Sequence, residues 1–211
     1  MTNIAHLRKE YKLHSLDENA VASNPITQFR IWFNEALETD ILEPNAMFLA
    51  TVSKEGQPSG RIVLLKDIEE NGFVFYTNYQ SRKAEQISEN QRVSLTFFWA
   101  DLERQVRIEG TTHKVSEAKS SEYFLSRPHG SQIGAWASPQ SKKVTKKELE
   151  DLFAKYEKEF SQKPMEKPPH WGGYLVVPHY VEFWQGRPSR MHDRICYQLE
   201  NEGWAIQRIA P

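Results

Sequence analysis

The segment AMFLATVSKEGQPSGRIVLLKDIEENGFVFYTN, residues 46–78, decides the fold class of this chain. Three runs rich in β-branched and aromatic residues, at 46–53, 59–68 and 73–78, are separated by the polar, glycine-containing turns KEGQP and EENG. Runs of this length joined by such short turns predict antiparallel strands that follow one another as a meander.

The rest of the chain surrounds these strands with helices and adds more strands. Asn24 followed by Pro25 predicts a helix start, and Thr145 with Glu148 three residues later forms a capping box that predicts another. Further helices are predicted at 81–90, after Ser116 and at 131–138, and further strands at 92–100, 104–115, 171–177, 180–186, 194–200 and 204–211. This order predicts an α+β fold, a small β-barrel of antiparallel strands with surrounding helices.

Composition limits the possible classes of protein. The chain has 211 residues, 39% of them hydrophobic, which suits one domain with its own core. It has 27 Lys and Arg against 28 Asp and Glu, so no overall electrostatic attraction to nucleic acid or to an anionic membrane is expected. Residues 1–20 form a polar N-terminal arm ahead of a single domain at 21–211. A single cysteine, a polar start and the lack of a bilayer-length apolar run predict a cytoplasmic protein.

Two clusters of basic residues in the first half could bind an anion. The strand RIVLLK, residues 61–66, mixes apolar and cationic side chains on both faces, although charged strand ends that reach solvent would give the same pattern. The second cluster is YTNYQSRKA, residues 76–84, in which Ser81, Arg82 and Lys83 open the helix that follows the third strand. Because cations in a first turn oppose the helix dipole, a bound phosphate would explain them better than solvent exposure does.

A third cluster combines tyrosine, arginine and serine at four-residue spacing. Tyr123, Arg127 and Ser131 supply two hydroxyls and a planar guanidinium, which suits a second phosphate. An ordinary helix C-terminus would also favour a basic residue here.

The fourth cluster is RPSRMHDR, residues 187–194, which follows Trp184. If the segment is extended, Arg190, His192 and Arg194 share one face. A histidine between two cations is expected to be neutral and able to accept a hydrogen bond or a proton.

Several other chemistries lack the residues they need. The chain has no GxGxxG, P-loop, GxSxG or HExxH motif, its single cysteine cannot build a cysteine-based zinc site, and its seven histidines are scattered, so no metal site is predicted. Interleaved basic and aromatic residues can bind single-stranded nucleic acid, but the balanced charge disfavours that. The clusters together fit two small phosphorylated aromatic molecules held side by side.

Five segments together resemble the pyridoxine/pyridoxamine 5′-phosphate oxidase family: RIVLLK, FYTNYQSRKA, ERQVRIEG, YFLSRPHGSQIGAWAS, and VEFWQGRPSRMHDR with a terminal RIAP. The likeness runs from Ile4 to the last residue. It implies an FMN-binding split β-barrel and a homodimer with FMN sites at the subunit interface. It also implies oxidation of pyridoxine and pyridoxamine 5′-phosphates by oxygen to pyridoxal 5′-phosphate and hydrogen peroxide, with ammonia from the amine.

The resemblance also implies roles for individual residues. The expected FMN contacts are Arg61, Ile62, Val63, Leu64, Leu65, Lys66, Tyr76, Thr77, Ser81, Arg82, Lys83, Gln105, Gln140, Ser141, Trp184 and Arg194. The expected substrate contacts are Arg8, Tyr11, Lys66, Tyr123, Arg127, Ser131, Arg190 and His192, with Arg190 and His192 as the catalytic pair. Arg8 and Tyr11 would make the arm at 1–20 a lid over the site.

Two other functions fit the same sequence. A split-barrel flavin reductase would reduce FMN with a nicotinamide cofactor, which the SRMHDR segment argues against. A non-catalytic carrier of FMN or pyridoxal phosphate would keep both phosphate clusters without turnover. Met191, where the family more often has Leu or Ile, and His129–Gly130, in place of a more polar pair, depart from the family pattern without touching a named contact.

Overall fold

The computed structural model describes residues 4–6 and 9–211. The described helices are α1 Pro25–Leu37, α2 Arg82–Glu89, α3 Glu117–Ser126, α4 His129–Ala137 and α5 Lys146–Phe160, with short 3₁₀ turns at Ile4–His6, Ala100–Leu102 and Pro188–Arg190. The described strands are β1 Ala46–Val52, β2 Pro58–Leu64, β3 Asp67–Ile68, β4 Phe73–Asn78, β5 Arg92–Trp99, β6 Arg104–Lys114, β7 Trp171–Gln185, β8 Asp193–Glu200 and β9 Gly203–Arg208. Among these helices, none has the length and apolar character needed to cross a bilayer.

The strands form one antiparallel sheet, which confirms the predicted α+β class. The order is β2-β1-β5-β6-β7-β4-β3, and β8 pairs with β7 and β9. The first half of β7 pairs with β4 and its second half with β8, while β6 runs along nearly its whole length. Strand β7 therefore joins two pairs of strands, β4–β3 and β8–β9, to the rest of the sheet.

The meander predicted for residues 46–78 is wrong beyond its first hairpin. β1 pairs with β2 as expected, but its other neighbour is β5, and β4 pairs with β3 and β7. The turn EENG closes only the short β3–β4 hairpin. The residues of a turn specify only that the two strands they connect pair with each other. Strand β4 is buried along almost its whole length and needs a partner on each side, and one of these, β7, lies far away in the sequence.

The strands predicted at 171–177 and 180–186 are one continuous strand that passes through a bulge. Glu109 pairs with Tyr180 and Gly110 pairs with Pro178, so His179 has no partner on β6. A proline without an N–H is tolerated at such a position. Before the bulge Tyr174 and Val176 face the core, and after it Val181 and Phe183 do, so the extra residue changes which alternate positions point inward.

The predicted starts of α1, α3 and α5 agree with the structure, whereas the helix predicted at 131–138 begins two residues earlier, at His129. The Asn24 side chain accepts the N–H of Ile26 at 2.8 Å, and Thr145 and Glu148 form the predicted capping box. Helix α1 fills the core with Phe29, whose ring centroid lies 4.8 Å from that of Phe73 and 4.9 Å from that of Phe97. Helices α3 and α4 line the cavity described next, and Lys83 of α2 donates hydrogen bonds to two of its lining residues, Thr77 and Gln140.

Candidate active site

A cavity of about 560 Å³ opens between the ends of β2 and β4 and helices α3 and α4. Its size suits a small-molecule ligand. Its lining includes nine predicted site residues, namely Val63, Leu64, Lys66, Tyr76, Thr77, Tyr123, Arg127, Ser131 and Gln140. The fold thus brings residues of the first, second and third sequence clusters to one place.

Arg61 and the start of α2 form the first cationic group. Arg61 Nη1 donates to Thr51 Oγ1 at 2.6 Å, and Nη2 donates to Ser59 Oγ at 2.9 Å. Gln86 Oε1 accepts both of these hydroxyls, at 2.6 and 2.7 Å, so the hydroxyls that hold Arg61 are themselves held. Burial first, and then the charge of Arg82, lowers the pKa of the Arg61 guanidinium. In the described chain Arg61 has no carboxylate partner.

Lys83 joins this group to the cavity. Its Nζ donates to Thr77 Oγ1 at 3.1 Å, Ser81 Oγ at 3.3 Å and Gln140 Oε1 at 3.0 Å. Burial, followed by repulsion from Arg61, lowers the pKa of Lys83 to about 8. Buried Ser81 occupies the N-cap position of α2 without making a side-chain cap bond. Like-charged groups around a helix start with free amides form an arrangement that an anion would stabilise.

Arg127 forms the second cationic group. Its Nη1 is buried and has no hydrogen-bond partner among the described residues. The guanidinium carbon lies 4.8 Å from the centre of the Trp171 ring, and burial lowers the pKa of Arg127. Burial also raises the pKa of Tyr123, and its protonated hydroxyl can donate a hydrogen bond. A buried cationic donor without a partner is costly, so this position fits an anionic ligand.

Three stacked rings form one wall of the cavity. Tyr76 and Tyr123 lie 4.1 Å apart by ring centroid, and Trp171 lies 5.3 Å from Tyr76 with an interplanar angle of 10°. A Cβ on Gly173 would lie 2.8 Å from the Tyr76 ring, so this glycine allows the close approach. Sequence reasoning missed Trp171, although a tryptophan followed by two glycines at a strand start was a usable signal.

A second group of predicted contacts lies on β6, β7 and β8, outside the lining of this cavity. Gln105 pairs with Trp184, and Trp184 pairs with Arg194, so these three residues form one cross-strand row. The ring centroid of Tyr11, in the arm, lies 5.6 Å from that of Trp184 in this row and 5.8 Å from that of His192, which precedes β8. One subunit therefore carries two separate groups of predicted site residues.

The extended conformation assumed for residues 187–194 is wrong at Arg190. Ser189 and Arg190 have φ of 58° and 61° in a 3₁₀ turn, and β8 begins only at Asp193, so alternation does not give Arg190, His192 and Arg194 a common face. Two non-glycine residues in the left-handed region are strained, which is a feature of functional sites.

His192 is held by its Nδ1 atom, which accepts the backbone N–H of Arg187 at 3.1 Å. Burial lowers the pKa of His192, the Arg190 charge adds to that effect, and Asp193 opposes it. The expected direction is confirmed, but burial exceeds the neighbouring cation as its cause. Because Nδ1 is an acceptor here, the neutral ring carries its proton on Nε2.

The remaining predicted contacts take varied positions. Leu65 is part of the core, Ile62 lies 63% exposed on the outside of β2, and Ser141 is exposed with φ of 70°. Arg82 is exposed at the start of α2. Arg8 lies outside the described residues.

The N-terminal arm is fixed by a buried carboxylate that sequence reasoning missed. Glu103 Oε2 accepts the N–H groups of Lys12 at 2.7 Å and Leu13 at 3.1 Å. Further along, Asp193 Oδ2 accepts the N–H of Leu16 at 3.0 Å. A Glu with φ of 54° in the turn between β5 and β6 has no sequence signature of its own.

Comparison with known proteins gives consistent family matches. Residues 33–162 match the family described as Pyridoxamine 5′-phosphate oxidase, and residues 171–211 match the Pyridoxine 5′-phosphate oxidase C-terminal dimerisation region. A protein named pyridoxine/pyridoxamine 5′-phosphate oxidase from Cyanothece sp. is 52% identical over 99% of both chains. One with the same name from Cupriavidus necator is 53% identical over 100% of both chains.

Two solved structures share the fold. PhzG from Burkholderia lata 383, in complex with tetrahydrophenazine-1-carboxylic acid, has a TM-score of 0.90 at 25% identity, covering 96% of this chain and 100% of its own. An FMN-binding, pyridoxamine 5′-phosphate oxidase-related protein from Nostoc punctiforme has a TM-score of 0.71 at 20% identity, covering 87% of this chain and 97% of its own. Together with the family match, these likenesses confirm the predicted split β-barrel.

Proposed function

The chain belongs to the pyridoxamine 5′-phosphate oxidase family of oxidoreductases, and from this premise we propose that it makes pyridoxal 5′-phosphate. Pyridoxine 5′-phosphate and oxygen would give the aldehyde and hydrogen peroxide. Pyridoxamine 5′-phosphate, oxygen and water would give the aldehyde, hydrogen peroxide and ammonia. Bound FMN would supply the redox chemistry by accepting a hydride from the 4′-carbon of the substrate and passing the electrons to oxygen.

The observation that carries this proposal is one cavity reached by two separate cationic groups. Thr77 and Gln140 line the cavity and are hydrogen-bond partners of Lys83, while Arg127 on its wall has a buried nitrogen without a partner in the described chain. Two phosphorylated aromatic molecules would satisfy both groups at once, with the Tyr76, Tyr123 and Trp171 rings beside them.

The cationic group at α2 fits the phosphate of FMN. Arg61, Arg82 and Lys83 supply positive charge, and the first turn of α2 supplies free backbone N–H groups. Val63 and Leu64 line the cavity with apolar surface and main-chain atoms for the flavin ring. These residues would bind and orient FMN, and none of them needs to act as a nucleophile.

The second cationic group fits the phosphate of the substrate. Arg127 would pair with it through the unsatisfied Nη1, and Tyr123, Ser131 and Lys66 line the same cavity with further donors. Because Arg127 is half-buried against Trp171, its interaction with a phosphate would be screened less than one at the surface.

We infer that the second group of residues completes the cavity of a partner subunit. Trp171 lines the cavity and Trp184 belongs to the cross-strand row, yet both lie on β7, 13 residues apart, or about 40 Å along an extended strand. Trp184 and Arg194 of this row lie within residues 171–211, which match a dimerisation region. Phe48 and Ile62 pair on the outer face of β1 and β2 and are 45% and 63% exposed, as a buried subunit interface would explain.

His192 and Arg190 would then approach the substrate bound by the other subunit. The His192 ring would donate from Nε2, because its Nδ1 lone pair already accepts the Arg187 N–H. This geometry favours an orienting donor over an obligatory base. Arg190 would stabilise negative charge that develops on the substrate.

The decisive experiment is an anaerobic absorbance spectrum of the protein with FMN, before and after pyridoxine 5′-phosphate is added. We expect the visible flavin band to bleach and to return when air is admitted. Pyridoxine without its phosphate is the matched control, and it should bleach the band far more slowly because Arg127 would lack its partner.

The alternatives give different spectra. A flavin reductase would leave the band unchanged with the vitamin and bleach it with NADPH. A carrier would bind FMN and respond to neither. An enzyme that acts on phenazine-type carboxylates, the class of ligand bound by the PhzG structure, would respond to such a carboxylate and not to pyridoxine 5′-phosphate.

A further inference from the structure

We propose that Glu182 is a positioning residue that holds Arg194 in place for the flavin, an inference that rests on the proposed function. Glu182 lies on β7 opposite Arg107 of β6 and Cys196 of β8. This cross-strand row is adjacent to the row of Gln105, Trp184 and Arg194. Neither the sequence motifs nor the family resemblance assigned a role to Glu182.

The contact between Glu182 and Arg194 is a two-point fork. Glu182 Oε1 accepts Arg194 Nε at 2.8 Å, and Oε2 accepts Arg194 Nη2 at 3.0 Å. Arg194 Nη1 also donates to the carbonyl oxygen of Ala210 at 2.9 Å, which ties the C-terminal segment to the same group. Three of the five guanidinium N–H groups are thus used, and the other two have no partner among the described residues. A guanidinium fixed on two sides is ready to bind a ligand with the remaining donors.

The carboxylate itself is buried and shared. The Glu182 side chain is only 2% exposed, and its Oε2 also accepts Arg107 Nη1 at 3.1 Å and the Tyr180 hydroxyl at 3.2 Å. Arg107 has a second carboxylate partner, Glu109 at 3.3 Å, whereas Glu182 is the only carboxylate that the described chain offers to Arg194.

The fork distinguishes positioning from simple charge neutralisation. One contact with Arg107 would already give Glu182 a counter-ion. The two parallel bonds to Arg194 additionally fix the plane and direction of its guanidinium, which matters for a group that must meet a ligand. Loss of the fork should therefore reduce affinity for the ligand that Arg194 contacts.

A double-mutant cycle on the full-length protein tests this inference. Apoproteins carrying Glu182→Gln, Arg194→Gln or both are titrated with FMN, and the dissociation constant is measured from quenching of flavin fluorescence. We expect Glu182→Gln to weaken FMN binding by about tenfold to a hundredfold, because a neutral amide replaces the charged acceptor that fixes Arg194. The double variant should bind FMN no more weakly than Arg194→Gln alone, because Glu182 acts through Arg194.

Glu109→Gln is the matched control, since it removes a half-buried carboxylate that also contacts Arg107. Its FMN affinity should equal that of the wild type. Effects of Glu182→Gln and Arg194→Gln that multiply in the double variant, or an unchanged affinity in Glu182→Gln, would overturn the inference. If Glu182→Gln does not fold, Glu182→Asp keeps the charge but shortens the reach, and wild-type affinity in that variant would likewise refute it. Wild-type protein that fails to bind FMN would refute the proposed function as well.

Discussion

A bound phosphate would raise the pKa of Lys83, which is lowered in the free protein. Burial and Arg61 lower its pKa to about 8 in the free protein, whereas a phosphate beside it would favour the ammonium form. Binding above pH 8 would therefore require proton uptake, and FMN affinity should fall as pH rises through 8. The folding stability of the free protein should depend on pH in the opposite direction. Since the unfolded lysine titrates near 10.5, stability should rise between these two pH values.

The measurement is the dissociation constant of FMN on either side of pH 8, for wild type and for Lys83→Arg. Phosphate is already a dianion in this range, so its own titration does not contribute. Arginine stays charged, and its FMN affinity should be independent of pH. A wild-type affinity that is constant across pH 8 would contradict the prediction.

Site residues could be predicted from the sequence where their charge or spacing is unusual for the element that carries them. The two cations at the start of α2 oppose the helix dipole, and the spacing of Tyr123, Arg127 and Ser131 is visible in the sequence. Glu103 and Glu182 could not be predicted, because each looks like an ordinary strand or turn carboxylate until the fold buries it. Their importance depends on partners that are far away along the chain.

At the scale of elements, the arm is fixed to the domain from Lys12 onward. Two backbone N–H groups bind Glu103, and Leu16 binds Asp193, so the part of the predicted lid at 1–20 that can open should end near Tyr11. A Cβ on Gly186 would lie 2.7 Å from the Tyr11 ring, which shows how closely the last lid residue packs.

Removing the acceptor should release the arm. We expect Glu103→Ala to speed tryptic cleavage after Lys12 by about tenfold to a hundredfold, because two hydrogen bonds to a charged acceptor are lost. Glu103→Gln is the matched control and should be cleaved at an intermediate rate, since its amide oxygen still accepts. Equal cleavage of Glu103→Ala and wild type would show that other contacts hold this segment.

At the scale of the whole molecule, the two groups of site residues predict complementation between subunits. Heterodimers of Arg127→Ala and Arg190→Ala subunits, each with its own affinity tag, would contain one site with both defects and one intact site. They should have about half of the wild-type activity, whereas both homodimers should be nearly inactive at limiting substrate.

A site built within a single subunit gives a different result. Neither site of the heterodimer would then be intact, and its activity would stay at the level of the homodimers. Gel filtration of each sample establishes that the compared species are dimers.

The overall architecture could be predicted only in part. Helix caps and short turns carry local signals, so α1, α5 and the β1–β2 hairpin follow from the sequence. Sheet order depends on which strands bury both faces, and that information is spread over residues that lie far apart in the sequence, such as Phe75 and Tyr174. The separation of the site into two groups follows from the sheet order and is equally hidden.

The bulge at His179 has a consequence for how genes of this family can change. It lets Trp171 and Trp184 lie on the outer face of β7 while Tyr174 and Phe183 fill the inner one, although strict alternation over 13 residues would place the tryptophans on opposite faces. The His179 side chain is exposed, so the core depends on the presence of this residue more than on its identity. Loss of its codon, however, would turn one half of the strand inside out and remove either the core or the site.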